Sequence, residues 1–231
     1  MKSRRSKSIG QGEFAFRSHG GPRRGAGRKL ESPRPMVSHR KRDVINGREP
    51  VHVTVRLIEG LPSLRRMRVL GVLKRAFAAG CDRLGFQLVQ WSVQRNHMHL
   101  LVEAEDNDSL SRGMQGLQVR MARALNKLWG RKGRVFCGRF HSRVLRTPKE
   151  VRNALVYVLQ NARHHGLKLH SHLDAYASGF WFSGWKEGTP GLVGDPGPLP
   201  LARARTWLLK TGWWQRHGLI GQKELPLRRA A

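Results

Sequence analysis

Two histidines one residue apart interrupt an apolar run in SVQRNHMHLLVEA, residues 92–104. In a strand, residues two apart point to the same face, so His97 and His99 lie side by side with Cα atoms about 7 Å apart. Two imidazoles at that separation can hold one divalent ion between them. The competing interpretation is a pair of partly exposed strand histidines that hydrogen-bond to their neighbours, which is the commoner case for an isolated His-x-His pair.

A phenol and a carboxamide follow in NALVYVLQNARHHG. Tyr157 and Asn161 are four residues apart, so a helix presents them on one face, one turn apart. The simpler interpretation is that Tyr157 packs against the fold and Asn161 is a polar group at a helix end. The chain has one other tyrosine, Tyr176, and one other His-x-His pair, His170 and His172. That second pair lies in a polar loop without the alternation that would fix its geometry.

The strands that must position these groups follow from alternating β-branched and apolar residues. This pattern predicts strands over 51–57, 86–94 and 97–104, the last two joined as a hairpin by a tight turn. The segment RVFCGRFHSRVLR, residues 134–146, predicts a further strand or bent hairpin. The histidine pair therefore lies on the second strand of a hairpin.

Three helices are predicted between and after the strands. Apolar residues three or four apart predict the first within 61–85, closed by Gly85. The second runs from a cap at Asp108 or Ser109 to about Trp129.

The third predicted helix carries the tyrosine and has the strongest start signal. Thr147 is its cap, Pro148 its first residue, and Glu150 completes a capping box. Gly166 ends it.

The order β-α-β-β-α-β followed by a helix predicts an α+β fold of the ferredoxin-like split βαβ type, with one antiparallel sheet. Helices pack on one face and leave the other open for a ligand. The hairpin residues expected to face the helices are Met98, Leu100, Val102 and Ala104. The stripe of the second helix expected to face the sheet is Val119, Met121, Leu125 and Leu128. The histidines then look out from the open face.

The charge of the chain indicates a polyanionic partner. Its 231 residues carry 44 Lys and Arg against 15 Asp and Glu, a formal net charge of +29. Nucleic acid is the natural counterpart, and a membrane surface is the rival. There is no apolar run of about 18 residues and no signal peptide, so we expect a cytoplasmic protein that crosses no membrane. Cys81 and Cys137 lack metal-type spacing and are expected to be reduced.

Two motifs together resemble a known family. RNHMHLLVE resembles the histidine–hydrophobic–histidine motif of single-tyrosine HUH transposases, and YVLQNARHHGL resembles their tyrosine helix, usually Tyr-Ile-x-x-Asn-Pro-x-x-Ala-Gly-Leu. FHSRVLRTPKEVRNAL resembles the segment between them. The resemblance covers about residues 50–185 and is greatest to the REP-associated tyrosine transposases and their insertion-sequence relatives.

The resemblance implies roles for the candidate residues. His97, His99 and Asn161 match the residues that hold Mg²⁺ or Mn²⁺, and Tyr157 matches the nucleophile. The implied reaction is cleavage and rejoining of single-stranded or hairpin DNA through a covalent phosphotyrosine intermediate. The family's proline after the asparagine is Ala162 here, so we expect the helix to continue a turn further.

Basic residues beside the strands and in the first fifty residues are the candidate DNA contacts. They are Arg95, Arg139, Arg143, Arg146, Arg23, Arg24, Arg28 and Lys29. His141 is a weaker candidate near the metal. Trp91 and Phe140 could stack bases, but core positions are favoured. For the N-terminal cations, a solvated and nonspecific tail is the equal alternative.

The predicted organisation is a basic, disordered arm over 1–50, a catalytic domain over 51–185 and a basic extension with one helix over 186–231. The alternative function is a noncatalytic DNA- or RNA-binding module with the same fold, which the lack of a clear aromatic pair on adjacent strands disfavours. Family members act as monomers or as homodimers, some of which exchange the tyrosine helix, and the sequence leaves both open.

Overall fold

An antiparallel sheet of five strands is the centre of the structure, a computed structural model that describes residues 42–164, 166–167, 169, 173–189 and 198–226. The strands are β1 (Val51–Arg56), β2 (Asp82–Arg83), β3 (Phe86–Val93), β4 (His97–Ala104) and β5 (His141–Val144). The helices are α1 (Met67–Ala78), α2 (Asn107–Leu128), α3 (Pro148–Leu159), α4 (Asn161–His164) and α5 (Trp213–His217). The sheet order is β2-β3-β4-β1-β5. The predicted α+β class, ferredoxin-like with an antiparallel sheet, is confirmed.

The first face of the sheet packs on α1 and α2 through an apolar core. As predicted, this face of β4 consists of Met98, Leu100, Val102 and Ala104, all of which belong to the same core as α1 and α2. The buried stripe of α2 is Leu110, Met114, Leu117, Met121 and Leu125. Val119 and Leu128, predicted to face the sheet, lie off this line and are 42% and 37% exposed, so that part of the prediction was wrong.

The second face is covered as well, which corrects the prediction of an open face. Leu101 of β4 packs in a second core with Leu155 and Val158 of α3 and with Trp213 of α5. The physical reason is that α3 follows the edge strand β5 and has an apolar side of its own to bury. The C-terminal segment over residues 198–226 supplies more apolar side chains to the same layer.

Several helix boundaries differ from the predicted ones. α1 ends at Ala78, and Gly85 instead forms the turn between β2 and β3, with a φ of +71° that favours glycine. Asp106, not Asp108 or Ser109, caps α2, because its carboxylate accepts a hydrogen bond from the Ser109 N–H at 2.6 Å.

The start of α3 is as predicted, but its end is not. Thr147 and Glu150 form the reciprocal capping box, with proline at the first helical position. α3 stops at Leu159, and Gln160 leaves the helical region before α4 begins. The expected continuation through Ala162 is therefore wrong. Gln160 is anchored elsewhere, because its Nε2 donates to the Gln222 carbonyl at 2.6 Å.

Residues at both predicted domain boundaries pack with the central domain. Ile45, within the stretch whose composition indicates an arm, is 5% exposed, and its N–H donates to Asn107 Oδ1 at 2.9 Å. Phe182 and Trp213, on either side of residue 186, stack with ring centroids 5.6 Å apart. None of the helices in the described ranges combines the length and apolar character needed to cross a bilayer.

Candidate active site

The histidine pair and the tyrosine meet within one chain. The Nε2 atoms of His97 and His99 are 3.1 Å apart, with the rings edge to face. Tyr157 Oη lies 3.4 Å from His99 Nε2, and the two ring centroids are 5.0 Å apart. The meeting arises because α3 packs across β4 on the second face of the sheet.

Asn161 is buried next to the end of the tyrosine helix. It is 1% exposed, and neither its Oδ1 nor its Nδ2 has a hydrogen-bond partner within the part of the chain that the structure describes. A buried amide normally has its hydrogen bonds satisfied, because leaving them unmade costs about 1–3 kcal/mol. An amide without such a partner is the kind of group that a ligand completes.

Hydrogen bonds on the far side of each imidazole orient the pair. His97 Nδ1 lies 2.9 Å from Asn96 Oδ1, which can only accept, so Nδ1 carries the proton and Nε2 the lone pair. His99 Nδ1 lies 3.2 Å from both Thr54 Oγ1 and His52 Nε2. Partners of this type fix the tautomer of imidazoles that bind metals.

His52 is a site residue that the sequence analysis missed. It lies on β1, which pairs with β4 so that Thr54 is opposite His99. Burial, reinforced by the nearby charges of His141 and Arg143, lowers the pKa of His52 to about 4, and its imidazole is therefore neutral near pH 7. The alternation of VHVTVR places His52 and Thr54 on one face, but finding the site also needs the β1–β4 register. His164 was missed too, and its ring centroid is 5.7 Å from that of Tyr157.

The residues present fit a divalent ion. Adjacent ligands of an octahedral ion with bonds of about 2.1 Å are about 3.0 Å apart, and the two Nε2 atoms are 3.1 Å apart. In the described ranges, no three His, Cys, Asp or Glu side chains are grouped to hold a metal. A third protein ligand would therefore be of another type, as the buried Asn161 amide is. A set of two nitrogens and one oxygen, without sulfur, is compatible with Mg²⁺ or Mn²⁺.

The predicted DNA contacts are found in different places. On β5, Arg143 is opposite His52 and His141 is opposite Thr54, so both belong to the site's face. Arg143 pairs with Glu150 at 2.7 Å, and Arg146 with Asp43 at 3.0 Å.

The remaining candidates separate into exposed, buried and undescribed residues. Arg95, in the β3–β4 turn, and Arg139 are exposed. Trp91 and Phe140 are core residues, 0% and 8% exposed, which confirms the favoured interpretation. The candidates that lie outside the described residues are Arg23, Arg24, Arg28, Lys29, His170 and His172. The guanidinium carbon of Arg65 lies 4.4 Å from the centroid of the Tyr176 ring.

Comparison with known proteins places this geometry in context. No curated protein matches the chain. A structure of the REP-associated tyrosine transposase bound to a REP hairpin is 19% identical, covering 74% of this chain and all of that chain, with a TM-score of 0.53. A candidate transposase from Deinococcus radiodurans R1 is 15% identical over 52% of this chain and 92% of its own, with a TM-score of 0.37.

A family model assigns the part of the chain that carries the histidines. Residues 51–145 match the model described as "Transposase IS200 like". The match includes β1 to β5 and the histidine pair and ends before Tyr157, while the overall fold is that of the REP-associated enzyme. Over residues 51–145, the chain is therefore similar to the IS200-like transposases.

Proposed function

We propose that this protein cleaves and rejoins single-stranded DNA through a covalent bond to Tyr157, with Mg²⁺ or Mn²⁺ held by His97, His99 and Asn161. The observation that carries the proposal is the distance of 3.4 Å between Tyr157 Oη and His99 Nε2, the nitrogen that also faces His97. A noncatalytic binding module has no need for a phenol at that atom.

The chemistry is an in-line displacement at phosphorus. Tyr157 Oη loses its proton and forms an O–P bond, the bond from phosphorus to the 3′ oxygen breaks, and a 3′-hydroxyl leaves. A phenol has a pKa near 10, so it needs activation near neutral pH. A bound divalent ion supplies neutralisation of the phosphate charge, worth several kcal/mol. Because the phosphotyrosine conserves the bond energy, a 3′-hydroxyl can reverse the step and transfer the strand without ATP.

The side chains around the phenol prepare it for this reaction. His99 is 5% exposed and is held from behind by Thr54 and His52, so its Nε2 cannot swing away from the phenol. Tyr157 itself is only partly buried, which leaves its oxygen accessible to a strand lying across the site.

The substrate is proposed to be single-stranded DNA next to a hairpin. The protein of similar fold is described as bound to a REP hairpin, and a net charge of +29 favours a nucleic acid ligand. Arg95 precedes the histidine strand by two residues, and Arg143 is opposite His52 of β1. Further contacts with the DNA phosphates are proposed for Arg139, Arg146 and the N-terminal cations.

The site needs no second copy of the chain. Tyr157 and both histidines come from one chain, so cleavage is proposed to occur within a monomer. A homodimer that exchanges α3 would have to take apart the contacts of α3 with Trp213 and Gln222 of the same chain.

The test is the formation of an SDS-resistant adduct between the protein and labelled hairpin oligonucleotides carrying single-stranded flanks, with Mn²⁺. Tyr157→Phe should abolish the adduct and keep DNA affinity, His99→Ala should abolish it as well, and the control Tyr176→Phe should retain it. An adduct that survives in Tyr157→Phe contradicts the assignment of the nucleophile. DNA binding without an adduct for any substrate would favour the noncatalytic module.

A further inference from the structure

His52 contacts both halves of the site. Its Nε2 lies 3.2 Å from His99 Nδ1, on the opposite side of the His99 ring from His97 and the phenol. Its ring centroid is also 5.8 Å from that of Tyr157, in an edge-on arrangement. A single side chain on β1 thus links a histidine on β4 to the tyrosine on α3.

The direction of the hydrogen bond decides what His52 does. For His99 Nε2 to present its lone pair toward His97 and the phenol, His99 Nδ1 must carry the proton and donate it. His52 Nε2 and Thr54 Oγ1, both 3.2 Å away, are two groups that can accept it. Outer partners of this kind raise the basicity of a metal-binding imidazole and fix its orientation.

Packing alone does not account for a histidine at this position. Val51, Val53 and Val55 alternate with it and fill the first core, whereas His52 points to the second face, opposite Leu101. Leu101 belongs to an apolar layer, so a phenylalanine of similar size would satisfy the packing. What phenylalanine lacks is one of the two acceptors for His99 Nδ1.

We infer that His52 is a positioning residue that holds His99 Nε2 toward the ion and keeps the Tyr157 ring against it. The inference rests on the proposed function, since it assigns His52 a role in the same metal-dependent reaction. Because His52 acts through His99 and Tyr157, its loss should weaken ion binding and slow the covalent step without unfolding the protein.

The experiment compares two variants of His52. His52→Phe retains an aromatic ring but removes the Nε2 acceptor, whereas the amide oxygen of His52→Gln can accept from His99. His217→Phe, an exposed histidine on α5, is the matched control. Mn²⁺ affinity is measured by electron paramagnetic resonance of the full chain without DNA, and the adduct rate in single turnover over a range of Mn²⁺ concentrations. Thermal unfolding checks the fold.

We expect His52→Phe to weaken Mn²⁺ binding by about 10–100-fold, as for other outer partners of metal ligands, and to shift the Mn²⁺ dependence of the adduct rate in parallel. If the rate of adduct formation in His52→Phe stays below that of the wild type at saturating Mn²⁺, the remaining difference is due to the lost contact with Tyr157. His52→Gln should recover most of the affinity, and His217→Phe should match the wild type. If His52→Phe does not fold, His52→Gln decides: near wild-type affinity supports the role, and a full loss contradicts it.

Two failures are distinguishable. A wild-type protein that forms adducts and binds Mn²⁺, with His52→Phe equal to it in both, overturns the role of His52 alone. A wild-type protein that does neither overturns the proposed function and this inference with it.

Discussion

Both faces of the sheet are covered by packed side chains, but the two faces differ in the polarity of the residues that they bury. On the first face, β3 and β4 contribute only apolar residues to the layer with α1 and α2. The buried polar residues of β3 and β4 all point to the second face, beneath α3 and the C-terminal segment: Gln87, Gln90, Ser92, His99 and Glu103. One face therefore serves stability, and the other combines stability with the candidate site.

The polar residues of the second face differ in how they are satisfied. Glu103 accepts hydrogen bonds from the backbone of Arg205 and Thr206, and Ser178 hydroxyl donates to Gln90, so these groups hold the C-terminal segment in place. Within the described residues, the Asn161 amide has no such partner. The paired groups of Glu103 and Gln90 are thus structural, whereas the unpaired amide of Asn161 indicates a ligand.

The largest expected effect comes from substituting two adjacent leucines, one on each face of the sheet. Leu100 and Leu101 are both fully buried on β4 but belong to different cores. Either substitution by alanine should lower the free energy of unfolding by about 2–5 kcal/mol in urea titrations. At a temperature where both variants are folded, only Leu101→Ala, which is opposite His52, should slow adduct formation. Equal rates for the two variants would show that the faces are not functionally distinct.

Local sequence signals predicted most of the strands and helices, but they did not predict the layer that covers the second face of the sheet. Alternation and capping residues predict β1, β3, β4 and the start of α3, because those signals act over a few residues. That α3 crosses to the second face depends on its packing partners far along the chain, such as Trp213. The end of α3 likewise depends on Gln160 and its distant partner Gln222.

The candidate site was predictable in part for the same reason. His97 and His99 share a face by strand alternation, and the structure brings Tyr157 to them. His52 and Thr54 join them only through the β1–β4 register, which is a pairing across more than forty residues. Single-sequence periodicity does not contain that information.

A second, smaller effect tests whether the hydrogen-bonded polar residues of the second face stabilise the fold. Glu103 is 4% exposed and accepts hydrogen bonds from two backbone N–H groups and from the Thr206 hydroxyl. Glu103→Gln should cost about 1–3 kcal/mol of stability and raise hydrogen exchange at residues 205–209. Glu105→Gln, an exposed neighbour, is the control. Unchanged exchange in Glu103→Gln would contradict its anchoring role.

A third effect concerns the ion pair that ties α3 to the C-terminal segment. Arg152 donates to both carboxylate oxygens of Glu224 and to the carbonyls of Gly218 and Leu219. Burial alone would raise the pKa of Glu224, but the hydrogen bonds from Arg152 and the Gly221 N–H together lower it below its usual value of 4.5.

The sign of the pH dependence follows from that shift. Because the folded carboxylate binds its proton less readily than the unfolded one, its contribution is complete above the ordinary pKa and is lost as pH falls below it. Arg152→Met should lower stability at pH 7 by about 1 kcal/mol, and its loss of stability between about pH 5 and 3 should be shallower than that of the wild type. Parallel curves from urea titrations at each pH would refute the coupling.

The smallest expected effect asks which face binds DNA. Arg143 is on the site's face, and its ion pair with Glu150 is half exposed, so losing that pair costs about 0–1 kcal/mol of stability. Arg123 is exposed on α2, across the sheet. Arg143→Gln should weaken single-stranded DNA binding modestly and reduce the slope of log affinity against log salt by about 1, while Arg123→Gln leaves both unchanged. Equal losses for the two variants would mean that the net charge of +29, rather than the polar face, governs binding, and only the covalent step would then distinguish the two faces.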